Sequence, residues 1–360
     1  MKIGIDARLI DETGVGRYIR NLIRQLIVLD DQNEYVVFLY RTGFNNFIVP
    51  NARWKKVRAN VRWHTVFEQC VMPFLFAIER LDVVHIPYFN IPIFYNGAMI
   101  VTIHDLTIKH FDTGKASTGP WLMYKVKRFL YGVIVSIGIK KVRHIIVPSN
   151  ATKNEIQEHY GIAGDKITVT YEGVNLENKK TGPLFSFPYF LYVGNAYPHK
   201  NLAVVIDALS HFKSKAKIVF VGKEDFFYKR LHAQIITRGL SSRVVFFGAA
   251  DDATLVCLYT YAQALLFPSL MEGFGLPPLE ALSFGCPVIA SNIPVHKEIL
   301  QDMVTYFPSS DSKHLATLLF AWKKSDHQIS PQKMTSFLKK YDWHDMAKKT
   351  LKLYESCTRI

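Results

Sequence analysis

Short apolar runs alternate with longer amphipathic ones along the whole chain. KIGID (2–6), EYVVFLY (34–40), LDVVHIP (81–87), AMIVTIH (98–104) and RHIIVPS (143–149) are nearly all apolar and end on polar or turn-forming residues. Such runs predict strands buried on both faces. GVGRYIRNLIRQLIVL (14–29) instead repeats its apolar positions at helical spacing, and NATKNEIQEHYG (150–161) reads as a helix capped by Asn150 and ended near Gly161. KITVTYEGVN (166–175) predicts a strand running into a turn, and FLYGVIVSIGI (129–139) a core helix or one lying against another surface. Strands separated by helices predict a parallel sheet with helices on both faces.

A polar stretch with Gly and Pro, LENKKTGPLFSFP (176–188), interrupts the pattern, which then restarts. Strands are expected at 189–195, 216–223, 243–248, 262–269 and 286–291, and helices at 201–212, 226–239 and 251–262. The expected organisation is a domain over 1–175, a linker over 176–188, a second domain over 189–342, and a C-terminal helix (343–360) able to pack back on the first domain. The fold class is therefore α/β, two Rossmann-like β/α/β domains facing across a cleft. In open α/β sheets, ligands bind beyond the carboxyl ends of the strands.

Composition narrows the class. The chain has 360 residues and 49% hydrophobic residues, enough for two cores, and no run of 18 apolar residues, which argues against a spanning helix. MKIGIDARLI carries charge early and lacks the apolar centre of a signal peptide. Four widely spaced cysteines, with no C-x-x-C, suggest neither a disulfide framework nor a zinc site and fit a reducing cytoplasm. The net charge is +14. Residues 109–153 hold Lys109, Lys115, Lys125, Lys127, Arg128, Lys140, Lys141, Arg143 and Lys153 against the single acid Asp112 up to Lys153's own helix, and 51–67 hold Arg53, Lys55, Lys56, Arg58 and Arg62 with no acid. Aromatics interleave with both stretches, among them Trp54, Trp63, Trp121 and Tyr124. Three readings fit: a solvated basic face, an anionic membrane surface, or nucleic acid.

The chemistry concentrates in LMEGFGLPPLEAL (270–282). Pro277 and Pro278 suit the first turn of a helix, where a missing N–H costs nothing, and Gly285 suits its stop. Glu272 then lies in a glycine loop and Glu280 in the first helical turn. Free N–H groups at a helix start suit anions or sugar hydroxyls, and glycines let a ligand approach the backbone. Other polar groups fall at expected strand ends: Asp6 with the Gly14–Gly16 loop, His104 with Asp105, GNAYPHKN with Gly194, His199 and Lys200, and Pro268 with Ser269. Each alone is more often structural; together they describe a phosphate cradle with one cation, one histidine and two carboxylates.

FPSLMEGFGLPPLEALSFGCPVIAS resembles the donor-site signature of retaining glycosyltransferases of family 4, with Glu272 and Glu280 as its E-x7-E pair. DARLIDETGVGRYIRNL, TIHDL, VPSNATKNEI and YVGNAYPHKNL are similar to further family segments, so the resemblance spans nearly the whole chain. It implies the two-domain GT-B fold and a nucleotide-diphosphate-sugar donor held mostly by the C-terminal domain. It implies that Glu272 receives the sugar hydroxyls, beside the N–H groups of Gly273, Phe274 and Gly275, and that Glu280 receives those of the ribose. Lys200 would neutralise the diphosphate, the Gly14–Gly16 loop would close on it, and His104 would sit near the anomeric carbon. Two positions depart from the family: Asn195, after Gly194, stands where many members have Arg, and His199 stands where a second cation often precedes the lysine. No D-x-D occurs, so a metal-independent reaction is expected, with Asp30–Asp31 and Asp251–Asp252 read as helix caps. The resemblance further implies retention by front-face attack, in which the donor phosphate accepts the acceptor's proton.

Chains with DAR…GVGRY…HKN resemble bacterial mannosyltransferases of surface polysaccharide synthesis. GDP-mannose is thus the first donor expected, a glycan or polyprenyl-linked lipid the acceptor, no separate cofactor is needed, and the setting is the cytoplasm or, peripherally, the inner membrane face. A sugar-nucleotide epimerase on the same fold, a basic nucleic-acid-binding protein and a non-catalytic family member are the alternatives. Nucleic acid is not the expected partner.

Overall fold

The computed structural model describes residues 1–111, 132–174, 182–211 and 214–358. The chain divides into two compact units, one of 1–106, 117–173 and 342–360, the other of 107–116 and 174–341.

The N-terminal unit is built on seven parallel strands: β1 (Lys2–Asp6), β2 (Glu34–Leu39), β3 (Trp54–Arg58), β4 (Val83–Ile86), β5 (Met99–Thr102), β6 (His144–Val147) and β7 (Ile167–Val169). Their order is β3-β2-β1-β4-β5-β6-β7, so the sheet grows outward in both directions from the β1–β4 neighbours. The second unit repeats the plan with six parallel strands, β8 (Tyr189–Val193), β9 (Lys217–Val221), β10 (Val244–Gly248), β11 (Leu265–Phe267), β12 (Val288–Ser291) and β13 (Thr305–Phe307), in the order β10-β9-β8-β11-β12-β13. Both orders are those of doubly wound, Rossmann-like sheets, with the switch point at β1/β4 and at β8/β11. The apolar runs end up inaccessible as the pattern requires: Ile3, Ile5, Val37, Phe38 and Leu39 in one unit and Leu191, Tyr192, Ile218, Val219 and Phe220 in the other are fully buried.

Several local expectations needed correction. The helix Asn150–Tyr160 is capped by Ser149, whose Oγ accepts from the Thr152 N–H at 3.2 Å, and not by Asn150. A serine in extended backbone one residue earlier can reach the third N–H, which a residue already in the helix cannot. Asp251 does cap the helix Asp252–Tyr261, but Asp30 closes the end of the helix Gly14–Leu29. Its carboxylate accepts from the N–H groups of Gln32 and Asn33, from Asn33 Nδ2 and from Tyr35 Oη, and so fixes the turn into β2. Strand β3, inside the basic stretch, and the helix Glu68–Ile78, just after it, were not expected, because part of each faces water. Residues 132–141 are helical; the start of that expected helix and residues 176–181 of the expected linker lie outside the described residues.

The final helix, Trp343–Thr358, packs on the first helix of the N-terminal unit. A buried polar chain fixes it there. Tyr354 Oη lies 2.6 Å from His85 Nδ1, His85 Nε2 lies 2.7 Å from Thr102 Oγ1, and that hydroxyl lies 3.1 Å from Tyr18 Oη. Burial, with the nearby His104, lowers the His85 pKa to about 3, so its ring is neutral at neutral pH. Removing one hydroxyl would leave a buried ring nitrogen without a partner. Tyr354→Phe is therefore expected to destabilise the N-terminal unit by about 1–3 kcal/mol, the usual penalty for such a group, read as a lower urea midpoint. An unchanged midpoint would show that the chain does not anchor the helix.

Candidate active site

Phe267 ends β11, and the next eight residues turn sharply before the helix Leu276–Ser283 begins. The turn depends on Gly275, which has φ +98°, and a Cβ there would stand 3.1 Å from the Phe267 ring. Pro277 and Pro278 follow in the opening turn, as expected, and Gly285 at φ +69° follows the last turn. Glu280 is the fifth residue of this helix, hence in its second turn and not its first.

Glu272 projects from the turn with most of its side chain closed to water. Its Oε1 accepts from Lys200 Nζ at 2.6 Å and from Ser269 Oγ at 2.6 Å, while its Oε2 has no partner among the described residues. Lys200 reaches it from the short turn Pro198–Lys200, and its ammonium also lies 5.8 Å from the centre of the Phe267 ring. That turn is stitched to the exit of β11. Asn201, in left-handed backbone, donates to the carbonyls of Pro268 at 3.1 Å and Ser309 at 2.7 Å, and the Leu270 N–H donates to the His199 carbonyl at 2.7 Å. Burial works to raise the Glu272 pKa, but the charges of Lys200 and His199 and the hydrogen bonds from Lys200 and Ser269 outweigh it, and the net shift is downward.

Gly194 closes β8 with φ +149°, its carbonyl accepting from Tyr228 Oη at 2.8 Å. The Asn195 carbonyl accepts from Tyr192 Oη at 2.5 Å, and the Asn195 side chain accepts from the Tyr197 N–H at 3.3 Å. Asn195 thus shapes its own loop and brings no charge to it. Glu280 is buried and accepts from Tyr259 Oη at 3.0 Å. Phe274 is buried with its ring edge-on to Tyr341, so any ligand contact at 273–275 is through backbone. The structure therefore brings Glu272, Lys200 and His199 together, with Gly194 and Asn195 ending β8, the strand beside β11.

On the N-terminal unit, Gly16 is required by packing, since a Cβ there would stand 2.6 Å from the Ile10 carbonyl, whereas Gly14 opens on free space. Asp6, expected among the ligand-facing groups, is instead inside an ion cluster. Arg8 donates to both its oxygens, at 2.8 and 2.6 Å, and to Glu68 at 2.5 Å, and Asn90 Nδ2 donates to both carboxylates. These groups are sealed from water, and burial raises the Glu68 pKa despite Arg8. His104 lies just beyond β5, with Nδ1 3.1 Å from Glu172 and Nε2 3.2 Å from the Pro87 carbonyl, and the Tyr18 ring stands against it at 4.9 Å.

Three residues were given no role from sequence. Glu172 follows β7 and could have been found by the rule that gathered the others, a polar group at a strand's carboxyl end. Ser269 was gathered there with Pro268 but given no role of its own. Tyr259 carries no signal, because only the fold sets its hydroxyl against Glu280.

Residues 13–178 match glycosyltransferase family 4 and residues 176–352 match the glycosyl transferases group 1. The O-antigen chain mannosyltransferase RfbU of Salmonella typhimurium is 24% identical over 318 residues, 86% of this chain and 84% of that one. The O-antigen chain mannosyltransferase B of Escherichia coli is 23% identical over 381, covering 95% and 96%. Among solved structures, sucrose-phosphate synthase from Thermosynechococcus elongatus superposes with a TM-score of 0.77 at 18% identity, over 99% of this chain and 98% of that one. Anabaena HepE in complex with UDP and glucose gives 0.75 at 17%, over 99% and 100%. These likenesses establish the GT-B fold.

The Lys200–Glu272 pair has a pH signature. The carboxyl is depressed in the folded protein, so the stabilisation it carries is present above its ordinary value near 4.5 and is lost as pH falls through the lower folded value. Lys200→Met leaves a buried carboxylate without its cation. It should cost about 1–3 kcal/mol at neutral pH, and the deficit should shrink as the pH is lowered through the ordinary carboxylate range. Urea titrations at several pH values check this; a pH-independent deficit would show that the pair is not electrostatically coupled.

Proposed function

The chain belongs to the group 1 and family 4 glycosyltransferases, and from that premise we propose that it moves a sugar from a nucleotide-diphosphate donor to a glycan or lipid-linked acceptor, with retention and without a metal. The observation that carries the donor reading is the Glu272–Lys200 pair ahead of the helix Leu276–Ser283. Lys200 supplies a fixed positive charge where a leaving diphosphate develops negative charge, and N–H groups at the helix start add partial charge of the same sign. The Oε2 of Glu272, which has no partner among the described residues, is an acceptor for sugar hydroxyls. In the reaction proposed, the bond from the anomeric carbon to the phosphate oxygen breaks, the acceptor oxygen bonds to that carbon on the same face, and the acceptor's proton passes to the departing phosphate oxygen. With Asn195 neutral, Lys200 is the principal diphosphate contact of its unit. His104, its ring held by Glu172, is the candidate catalytic group of the N-terminal unit, and Gly14–Gly16, which form the first turn of the helix Gly14–Leu29 and not a loop, are its candidate phosphate contact. The O-antigen mannosyltransferases among the relatives support mannose, carried as GDP-mannose, as the donor sugar, and polysaccharide synthesis as the setting.

Glu272→Ala is expected to abolish transfer in a folded protein, Glu280→Ala to weaken nucleotide binding, and Lys200→Ala to lower kcat/KM at least tenfold, one charge-assisted bond being worth about 1.5–3 kcal/mol. A screen of GDP- and UDP-sugars, with and without EDTA, checks donor and metal independence. Undiminished kcat/KM in Glu272→Ala removes the pair from the reaction, and acceptor-free isomerisation of the donor would identify an epimerase.

We further propose that the protein works at an anionic membrane surface, through an apolar face that a few cations of the basic stretches rim, and not through the 53–58 cluster. Lys55, Lys56 and Arg58 lie on β3, an edge strand of its sheet, where charged side chains deter edge-to-edge pairing. Lys55 binds Glu79 at 2.7 Å, and Lys56 donates to the carbonyls of Phe44 and Phe47. Lys125, Lys127 and Arg128 lie outside the described residues. The better support is apolar. Phe67, Phe74 and Ile78 line the helix Glu68–Ile78 and, with Phe94, are each more than half exposed. Gln69 bonds the 91–93 backbone and Lys141 bonds Ile93 and Asn96, so these segments and the 132–141 helix, which exposes Val133 and Ile137, are neighbours. The acids of these segments, Glu68 and Glu79, are buried in ion pairs, whereas Arg62, Lys140 and Lys141 are exposed. Apolar side chains rimmed by cations fit an anionic headgroup layer. No helix among the described residues is long and apolar enough to cross a membrane. Co-sedimentation should occur with anionic vesicles, fall with added salt, and drop several-fold in Phe74→Ser/Ile78→Ser. Equal recovery in the supernatant with anionic and zwitterionic vesicles would overturn the proposal.

A further inference from the structure

Glu272 rests on a second, wholly buried layer to which the sequence assigned no role. Ser269, Ser291 and His296 are all inaccessible to water, although each carries polar atoms. Ser269 Oγ donates to Glu272 Oε1 at 2.6 Å. Ser291 Oγ, at the end of β12, donates to the Ser269 carbonyl. His296 Nδ1, on the helix Pro294–Leu300, lies 2.8 Å from the Ser291 carbonyl and 3.2 Å from its Oγ. Since that hydroxyl already donates to Ser269, both oxygens are acceptors toward the ring, and Nδ1 carries the hydrogen. Nε2 is buried with no hydrogen-bond partner among the described residues. The ring also lies 4.9 Å from that of Phe267, which backs Gly275 and faces Lys200.

This arrangement leaves the two oxygens of Glu272 unequal. Oε1 takes two donors, Lys200 and Ser269, and its lone pairs are used. Oε2 takes none among the described residues. Without Ser269 the carboxylate could turn about its last torsion, which is broad for glutamate, and exchange its oxygens at Lys200. We propose that Ser269 is a positioning residue, held by Ser291 and His296, that locks the Glu272 carboxylate so that Oε2 alone, with two free lone pairs, meets a vicinal pair of sugar hydroxyls. This rests on the assignment of Glu272 to the donor sugar made above.

The layer is built not to change charge. Burial, only partly offset by Glu272 and by the bond to Ser291, lowers the His296 pKa to about 4, and protonating it would place an N–H at the partnerless Nε2. The groups that act electrostatically on Glu272 or it on them are Lys200, His199, His296 and Tyr192. Of its hydrogen bonds, the one from Ser269 holds the carboxyl down and can be removed without removing charge.

The experiment compares Ser269→Ala, Ser269→Thr and His296→Asn with wild type, using the donor that the screen identifies and the matching nucleoside diphosphate. Ser269→Ala should lower kcat about tenfold and move the acidic limb of kcat/KM to higher pH, while nucleoside diphosphate affinity stays as in wild type, because that ligand lacks the sugar. Ser269→Thr restores the hydroxyl and should recover both. His296→Asn, whose amide can stand in for Nδ1, should stay near wild type. A Ser269→Ala enzyme with wild-type kcat and acidic limb overturns the proposal. So does an equal loss of nucleoside diphosphate affinity, which would mark general damage to the loop. If Glu272→Ala itself is active, the donor assignment fails; if Glu272→Ala is dead and Ser269→Ala is normal, only the positioning role fails.

Discussion

A parallel sheet covered on both faces offers polar side chains almost nowhere to go but the ends of its strands, and both units obey this constraint. Within β1, β4, β5, β8, β11 and β12 the side chains are apolar with few exceptions, and those exceptions are hydrogen-bonded, as His85 and Thr102 are to one another. At the carboxyl ends or just past them come Asp6, His104, Glu172, Gly194, Lys200, Ser269, Glu272 and Ser291. A strand end is also where a loop passes into a helix whose first N–H groups lack partners. Chemistry and fold are thus joined by one rule: the backbone pairing that excludes polar groups from the sheet interior delivers them, already clustered, to one edge of it.

What each cluster then does depends on how much of its charge is spent internally. In the N-terminal unit Arg8 is divided between Asp6 and Glu68 and fully sealed, so the cluster acts as a clamp for the loops through Val61 and Asn90. Buried ion pairs of this kind hold geometry more than they add stability. In the C-terminal unit the pairing is deliberately incomplete. Lys200 and Ser269 satisfy one oxygen of Glu272, the other takes no bond among the described residues, and the neutral Asn195 brings no second cation. A site with one unspent acceptor and one shared cation is suited to a ligand that carries both hydroxyls and negative charge.

The surface repeats the theme that residue type alone does not fix a role. The basic run 53–58 would read as a partner-binding patch, but its strand is a sheet edge and its lysines hold Glu79 and the backbone at 44 and 47. The apolar side chains of the helix Glu68–Ile78 would read as core, but Phe67, Phe74 and Ile78 face outward. A helix with Met72 and Phe76 buried on one side and phenylalanines exposed on the other has two apolar faces, and only one of them finds cover within its own unit.

The fold was largely legible in the sequence because burial on both faces leaves a mark on every residue of a strand. Thirteen strands form among the described residues, and those missed or blurred, β3 above all, sit at an edge where the mark fades. Glu272, Glu280, Lys200, His104 and the glycines could be named in advance because loop chemistry and family resemblance act on contiguous residues. Their pairings could not. Ser269 and Lys200 are 3 and 72 positions from Glu272, Glu172 is 68 from His104, and Tyr354 is 269 from His85. Helix caps showed the same limit at shorter range, Ser149 taking the place expected of Asn150 and Asp30 closing a helix it was expected to open. By itself the sequence determined which segments must be buried and which residues could carry chemistry, since both follow from local periodicity and side-chain type. Which polar atom meets which was decided only when strands far apart in the chain became neighbours, because a hydrogen bond is set by distances of about 3 Å that no spacing along the chain encodes.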